Sequence, residues 1–258
     1  MKHSIVIVLI ASIFLFSSCE KVINIDLKNA GPKLVIEGSV DDSGNPATVT
    51  ISKSAVFSAG NNYQKVSGAV VKITDNLGTI FLLPETATGV YTNTALNGVV
   101  GRTYQLSVLL EGKTYTASST IPRKVMLDSL ILDKEDFGEK EIIVGAAFTD
   151  PVGFGDNIQV VQTINGKADR ITHVTNDFYL DGSSTPFLLE TGTVQIVAGD
   201  KVSIEFRSID KNVYHYLLGV QDLNYGDTSP ENPESNISGN VLGFFSAHTT
   251  QSKVIIVK

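Results

Sequence analysis

Apolar and polar residues alternate in many short segments of this chain, and that period of two restricts its fold more than any other pattern. Between residues 104 and 110, Tyr104, Leu106, Val108 and Leu110 occupy every second position. Successive side chains of a strand point to opposite faces, so this pattern predicts a strand with one buried face. Runs rich in Asp, Asn, Ser and Gly separate the segments, for example residues 41–46 and 75–78, and such runs are typical of turns. We therefore predict a mainly all-β fold.

The order of these segments predicts two β-sandwich-like parts. Residues 33–122 hold roughly seven short apolar segments, the number expected of an immunoglobulin-like or transthyretin-like sandwich. Residues 123–258 hold more segments, including strands expected at 142–149, 157–164, 193–197 and 202–207. With no tryptophan and two methionines, the chain must fill its cores with Val, Ile, Leu, Phe and Tyr, which favour strands.

One segment of the second part departs from the strand pattern and predicts a helix at about 210–225. Val213, Tyr216, Leu217, Val220 and Leu223 follow one another at the spacing of one helix face. Asp210 and Gly226 occupy positions suited to the N-cap and the C′ residue of that helix.

The first nineteen residues predict an export signal that ends at a lipid anchor. Residues 5–16 are apolar apart from Ser12. As a helix they would extend about 18 Å, too short for a hydrocarbon core of about 30 Å. Ser17 and Ser18 precede Cys19, the only cysteine, as small residues precede the cleavage site of lipoprotein signal peptides. We expect a signal peptide at 1–18 and a lipidated Cys19 that attaches the protein to a membrane. A secretory signal with an incidental cysteine is the alternative.

Residues 19–32 would follow as a lipidated tether with some strand character, since Ile23, Ile25 and Leu27 alternate with polar residues. Fully extended, residues 20–32 reach at most about 45 Å. Removal of residues 1–18 takes away one charge, that of Lys2, so the net charge changes from −7 to −8. An acidic chain of this kind is not expected to bind nucleic acid, which requires clustered Lys and Arg.

Several segments, in their order along the chain, resemble one known family. They include Leu34-Val-Ile-Glu-Gly, Val49-Thr-Ile-Ser-Lys-Ser, Gly68-Ala-Val-Val-Lys-Ile-Thr-Asp, Gly101-Arg-Thr-Tyr-Gln-Leu, Tyr115-Thr-Ala-Ser-Ser-Thr-Ile-Pro, Asn232-Pro, Ser235-Asn-Ile-Ser-Gly-Asn and Leu242-Gly-Phe-Phe-Ser-Ala. The chain is similar to a lipoprotein family of Bacteroidota known as domain of unknown function 4249. The resemblance implies an envelope lipoprotein of the outer membrane, at its periplasmic face or on the cell surface, often encoded beside TonB-dependent receptors.

The sequence offers no catalytic or metal-binding motif, and we predict a non-enzyme without cofactor or metal. His173, His215 and His248 lack the spacing of a zinc site, and each is expected at the surface or at a helix edge. Residues 133–138 superficially suggest a calcium loop, but Phe137 stands where an oxygen ligand is needed.

Two loops are candidate partner-binding surfaces. The segment 230–247 combines Asn232 and Asn236 with the pair Phe244 and Phe245. It is either structural, with capping side chains and glycines where backbones pass closely, or part of a face that binds a partner. Tyr63, in a polar loop, is either a contact residue or folded back onto its own domain.

These observations leave three functional hypotheses. The first is a non-catalytic outer-membrane lipoprotein that assists a TonB-dependent receptor in nutrient uptake, its ligand unknown. The alternative is a structural or adhesive protein of the cell envelope. The third is an envelope hydrolase, whose two carboxylates would not be recognisable from sequence spacing.

Overall fold

A computed structural model describes residues 31–54, 63–136, 140–178, 181–192, 194–225 and 232–258. Every element described below lies in one compact unit, Pro32–Lys258. The predicted signal peptide, Cys19 and the tether up to residue 30 lie outside the described residues.

The first half of this unit contains eight strands among its described residues. They are β1 (Leu34–Asp41), β2 (Ala47–Lys53), β3 (Val70–Asp75), β4 (Ile80–Leu83), β5 (Glu85–Ala87), β6 (Val90–Asn93), β7 (Thr103–Leu110) and β8 (Lys113–Thr120). Buried and accessible residues alternate along β7, as the sequence pattern predicts.

The described residues of the second half add eight more strands and a helix. The strands are β9 (Leu127–Asp136), β10 (Lys140–Thr149), β11 (Asn157–Ile164), β12 (Lys167–Ala168), β13 (His173–Asn176), β14 (Ser184–Leu189), β15 (Lys201–Ile209) and β16 (Phe245–Ile256), and the helix is α1 (Lys211–Tyr225).

These strands form three sheets. The largest has the order β12-β11-β15-β16-β1-β2-β6-β5, with β13 also paired to β11. The other two have the orders β4-β3-β7-β8 and β14-β10-β9. Strand β16 joins the halves, because residues 245–248 pair in parallel with β1 while residues 249–256 pair antiparallel with β15.

Two hydrophobic cores lie between the large sheet and the two smaller ones. The first core is built from β1, β2, β6 and the four-stranded sheet, and the C-terminal segment adds Ile237, Val241, Phe245 and Ala247. The second core is built from β11, β15 and the three-stranded sheet. Each half is therefore sandwich-like, and the mainly-β fold with one helix is confirmed.

Helix α1 begins where the sequence predicts. The Asp210 carboxylate oxygen Oδ1 accepts hydrogen bonds from the backbone N–H groups of Asn212 (2.9 Å) and Val213 (3.0 Å), so Asp210 is the N-cap. Val213 and Leu217 are buried in a small cluster under the helix. The expected C′ residue, Gly226, lies outside the described residues. No helix in the described part of the chain combines the length and the apolar character needed to cross a membrane.

The strand predicted at 193–197 is wrong for residues 194–197, which form no strand. There the chain makes a turn in which the N–H of Val197 donates to the Asp200 carboxylate at 2.9 Å and the N–H of Asp200 donates to the Val197 carbonyl at 3.1 Å. Ile196 is nevertheless buried in the second core. An apolar side chain at the right place can be buried without a ladder of backbone hydrogen bonds.

Candidate functional site

The predicted partner residues of the segment 230–247 fall into two environments. Phe245 is fully buried in the first core, so its side chain is part of the packing. The Asn236 side chain bonds the backbone of Phe245 twice: Oδ1 accepts from the N–H at 2.9 Å, and Nδ2 donates to the carbonyl at 2.8 Å. These contacts give Asn236 a structural role in positioning the start of β16.

Phe244, which directly precedes β16, packs in a different cluster from Phe245. It is half-buried, and its ring lies 5.2 Å from that of Tyr216 on α1. Asn232 is exposed, and Tyr63 retains 56% of its accessible surface. A role for these residues in binding a partner stays a prediction.

Two of the histidines are buried, contrary to the expectation of surface positions. His173 and His248 keep 3% and 2% of their accessible surface, whereas His215 is exposed on α1. His248 lies on β16, which is paired on both sides, and the His173 ring lies 6.4 Å from that of Phe187. Burial and the positive charge of Arg207 lower the pKa of His248 to about 4. The Nδ1 of His248 lies 3.0 Å from the Ser246 hydroxyl, which fixes the orientation of the ring.

Three buried carboxylates converge at the ends of three strands. Asp150 directly follows β10, Asp156 directly precedes β11 and Asp177 directly follows β13. One oxygen from each lies within 4.8 Å of the others. The three residues retain 2%, 5% and 6% of their accessible surface. We name this group the acidic cluster.

Arg123, which lies between the two halves in sequence, contacts the acidic cluster from one side. Its Nε donates to both oxygens of Asp156, at 2.8 and 2.9 Å. Its terminal nitrogens donate to the carbonyls of Pro151 (2.8 Å), Val152 (3.0 Å) and Gly153. The turn 150–156 is thus folded around one guanidinium group.

Asp177 holds the same turn from the other side. Its Oδ2 accepts hydrogen bonds from the N–H groups of Gly155 (2.6 Å) and Asp156 (3.0 Å). Gly153 and Gly155 have φ angles of +107° and +115°, a region that favours glycine, so the turn depends on both.

Large apolar side chains project from these turns into solvent. Val152, Phe154 and Phe178 retain 81%, 75% and 66% of their accessible surface. Phe154 and Phe178 line one groove of about 440 Å³, together with Tyr214 and His215 of α1. We name these three exposed residues the apolar rim.

Sequence reasoning missed both the acidic cluster and the apolar rim. The available signal was Asp150-Pro-Val-Gly-Phe-Gly-Asp156, a glycine-rich turn with a carboxylate at each end. The third carboxylate comes from another strand, and a pairing between β11 and β13 that the sequence analysis did not predict brings it close.

Comparisons with known proteins give a family and a weak match to a solved structure. A family model described as "Domain of unknown function (DUF4249)" matches residues 20–254. A solved two-fibronectin type-III domain segment from chicken tenascin aligns with a TM-score of 0.26 and 16% identity, over 88% of this chain and 99% of that one. No curated protein matches the sequence.

Proposed function

Because the chain belongs to the DUF4249 family over residues 20–254, we propose that it is a non-catalytic binding lipoprotein of the bacterial outer membrane. Its proposed partner is a TonB-dependent receptor, which it assists in nutrient uptake. The apolar rim is the proposed contact surface.

The lipobox-like sequence supports the membrane attachment. Small residues precede a single cysteine after an apolar run of signal-peptide length. Several acyl chains on one residue would hold a protein firmly at a bilayer, where one myristoyl chain gives only marginal binding.

The observation that carries the proposal is the apolar rim. Three large apolar side chains that are each more than three-fifths exposed and lie on adjoining turns are typical of an interaction surface. Arg123 and Asp177 hold the turn that carries Val152 and Phe154, so the surface is largely formed before binding. Preorganisation of this kind lowers the entropy lost on association.

A protein partner fits this surface better than a lipid surface. The groove beside the rim combines Phe154 and Phe178 with the polar side chains of Asn157 and Asn176. Mixed aromatic and polar groups are usual where proteins meet. The net charge of −8 expected after removal of residues 1–18 also disfavours contact with anionic lipid headgroups.

The test is a detergent pull-down of the tagged, lipidated protein from native outer membranes, with the co-purifying proteins quantified by mass spectrometry. We expect a TonB-dependent receptor in stoichiometric amount. Phe154→Ser and Phe178→Ser should each reduce its recovery about tenfold or more, as losses at interface aromatic residues do. Leu77→Ser is the matched control, since Leu77 is 71% exposed and lies in the turn between β3 and β4.

Further variants distinguish the alternative hypotheses for the anchor, the contact surface and the partner. Cys19→Ser should abolish acyl labelling and detergent partitioning, and unchanged partitioning would contradict the anchor. Tyr63→Ala and Asn232→Ala test the surfaces expected from the sequence. Equal receptor recovery with Phe154→Ser, Phe178→Ser and Leu77→Ser would remove the apolar rim from the proposal. Recovery of the lipoprotein alone would contradict a stable receptor complex and favour an adhesive protein.

A further inference from the structure

The geometry points to a calcium site at the acidic cluster: we infer that Asp150, Asp156 and Asp177 bind one Ca²⁺ and thereby hold the ends of β10, β11 and β13 together. This inference stands on the buried carboxylates and needs neither the receptor nor the membrane anchor.

One oxygen of the acidic cluster has no partner. Asp150 Oδ2 is buried, and it accepts no hydrogen bond within the described part of the chain. Asp150 itself keeps only 2% of its accessible surface. A buried carboxylate oxygen without a donor costs free energy, and a bound cation would remove that cost.

The charges of the acidic cluster are not balanced by its protein neighbours. Three carboxylates carry −3 when ionised, and the one cation in a salt bridge with them in the described residues is Arg123, through Asp156. The remaining charge of −2 equals the charge that a divalent ion neutralises.

The ligand chemistry and spacing fit calcium. Carboxylate oxygens are hard ligands, and Ca²⁺ binds such oxygens at roughly 2.3–2.6 Å in a flexible geometry. Two oxygens bound to one such ion lie at most about 5 Å apart, and the carboxylate oxygens of the cluster lie within 4.8 Å of one another. The ligands come from irregular turns as well as strand ends, which suits the variable coordination of Ca²⁺ better than the strict octahedron of Mg²⁺.

The experiment uses the lipidated full-length protein, purified in detergent and stripped with EDTA. It is titrated with CaCl2 and separately with MgCl2 at constant ionic strength, by calorimetry and by thermal unfolding. We expect one Ca²⁺ per chain with a Kd between about 10⁻⁴ and 10⁻³ M, the range of extracellular calcium modules. Calcium should raise the Tm in step with occupancy.

Two substitutions that each remove one negative charge locate the site. Asp150→Asn should weaken calcium binding roughly tenfold or more, and without calcium it should unfold no more readily than the parent, since it removes an unpaired buried charge. Glu111→Gln removes a carboxylate from the exposed turn between β7 and β8 and should leave the affinity unchanged. Asp177→Asn serves as the second variant if near-UV circular dichroism shows that Asp150→Asn has lost its fold.

Three results would overturn the inference. No calcium signal up to about 10 mM would exclude a site of this class. Equal calcium affinity in the parent and in a folded Asp150→Asn variant would place the ion elsewhere. Equal affinity for Mg²⁺ and Ca²⁺ would contradict the assignment to calcium.

Discussion

His248 illustrates how a single buried residue on β16 links stability to pH. Its ring is 2% exposed, and charged groups approach it from two neighbouring strands: Arg207 on β15 and Asp41 on β1. Burial and Arg207 lower its pKa to about 4, while Asp41 and Asp42 act in the opposite direction. The neutral form therefore dominates in the folded protein at pH 7.

This pKa predicts a loss of stability in mild acid. The unfolded chain has a histidine pKa of about 6.5 and binds the proton more tightly than the folded protein does. The contribution of His248 is therefore complete above about pH 6.5 and is lost as the pH falls toward 4. Between pH 7 and 4.5 we expect the free energy of unfolding to fall by about 2 kcal/mol on this account, as measured by urea denaturation.

His248→Gln should remove that part of the pH dependence, and His215→Gln, on the exposed face of α1, is the matched control. The same slope in both variants would show that His248 does not control the acid response.

At the scale of the element, the chain before β16 depends on Gly243. Leu242 and Phe244 accept backbone hydrogen bonds from β1: Ile36 N–H donates to the Leu242 carbonyl, and Gly38 N–H donates to the Phe244 carbonyl, both at 2.9 Å. Gly243 has a φ of +94°, and a Cβ built there would lie 2.0 Å from the Ile36 carbonyl oxygen. No other residue fits without moving the two strands apart.

We expect Gly243→Ala to lower the free energy of unfolding by about 3 kcal/mol or more, since strain in φ and a backbone clash add. Gly101→Ala is the control, because Gly101 has a φ of +82° with nothing within 4 Å of an added Cβ. The free energy of unfolding of that variant should fall only by the roughly 1–2 kcal/mol that the left-handed conformation costs an alanine. Similar losses in urea denaturation would show that the close approach of the strands is relaxed at little cost.

The elements that the sequence predicts well are those whose pattern is local. The alternation at Val202, Ile204 and Phe206 requires one buried face, and all three are fully buried in β15. The helical spacing and the Asp210 cap likewise identify α1. Strand β14 (Ser184–Leu189) was not predicted, because it lacks clean alternation and forms through its pairing with β10.

The candidate site was less predictable because it depends on contacts between distant segments. The carboxylates of the acidic cluster come together only through the pairing of β11 with β13 and the end of β10. The surface position predicted for His248 was wrong for the same reason. Its burial depends on the strands that pair with β16 on either side. By contrast, the structural interpretation of the segment 230–247 could be predicted from the sequence. Asn236 and Gly243 are residue types suited to local backbone contacts.

At the scale of the whole molecule, the two halves share one sheet, and the C-terminal segment of the second half adds side chains to the first core. Strand β16 pairs with β1 at its start and with β15 over the rest of its length. The first core also contains Ile237, Val241, Phe245 and Ala247, which all come from beyond residue 232. Asp42 adds a link at the predicted boundary, because it pairs with Lys124 at 2.7 Å and accepts the Thr250 N–H at 2.8 Å.

The boundary predicted at residues 122–124 can therefore be tested by expressing residues 33–122 alone. We expect that fragment to lack a stable fold, because the loss of Phe245 alone removes a fully buried side chain whose deletion typically costs about 3–5 kcal/mol. Domains of this size have a net stability of only about 5–15 kcal/mol. Poor amide dispersion in NMR spectra would show the loss, and co-expression with residues 123–258 should restore it by returning β16. A fragment that folds alone with a cooperative transition would instead establish an autonomous first domain, in which Leu106 and Ile36 pack without the C-terminal segment.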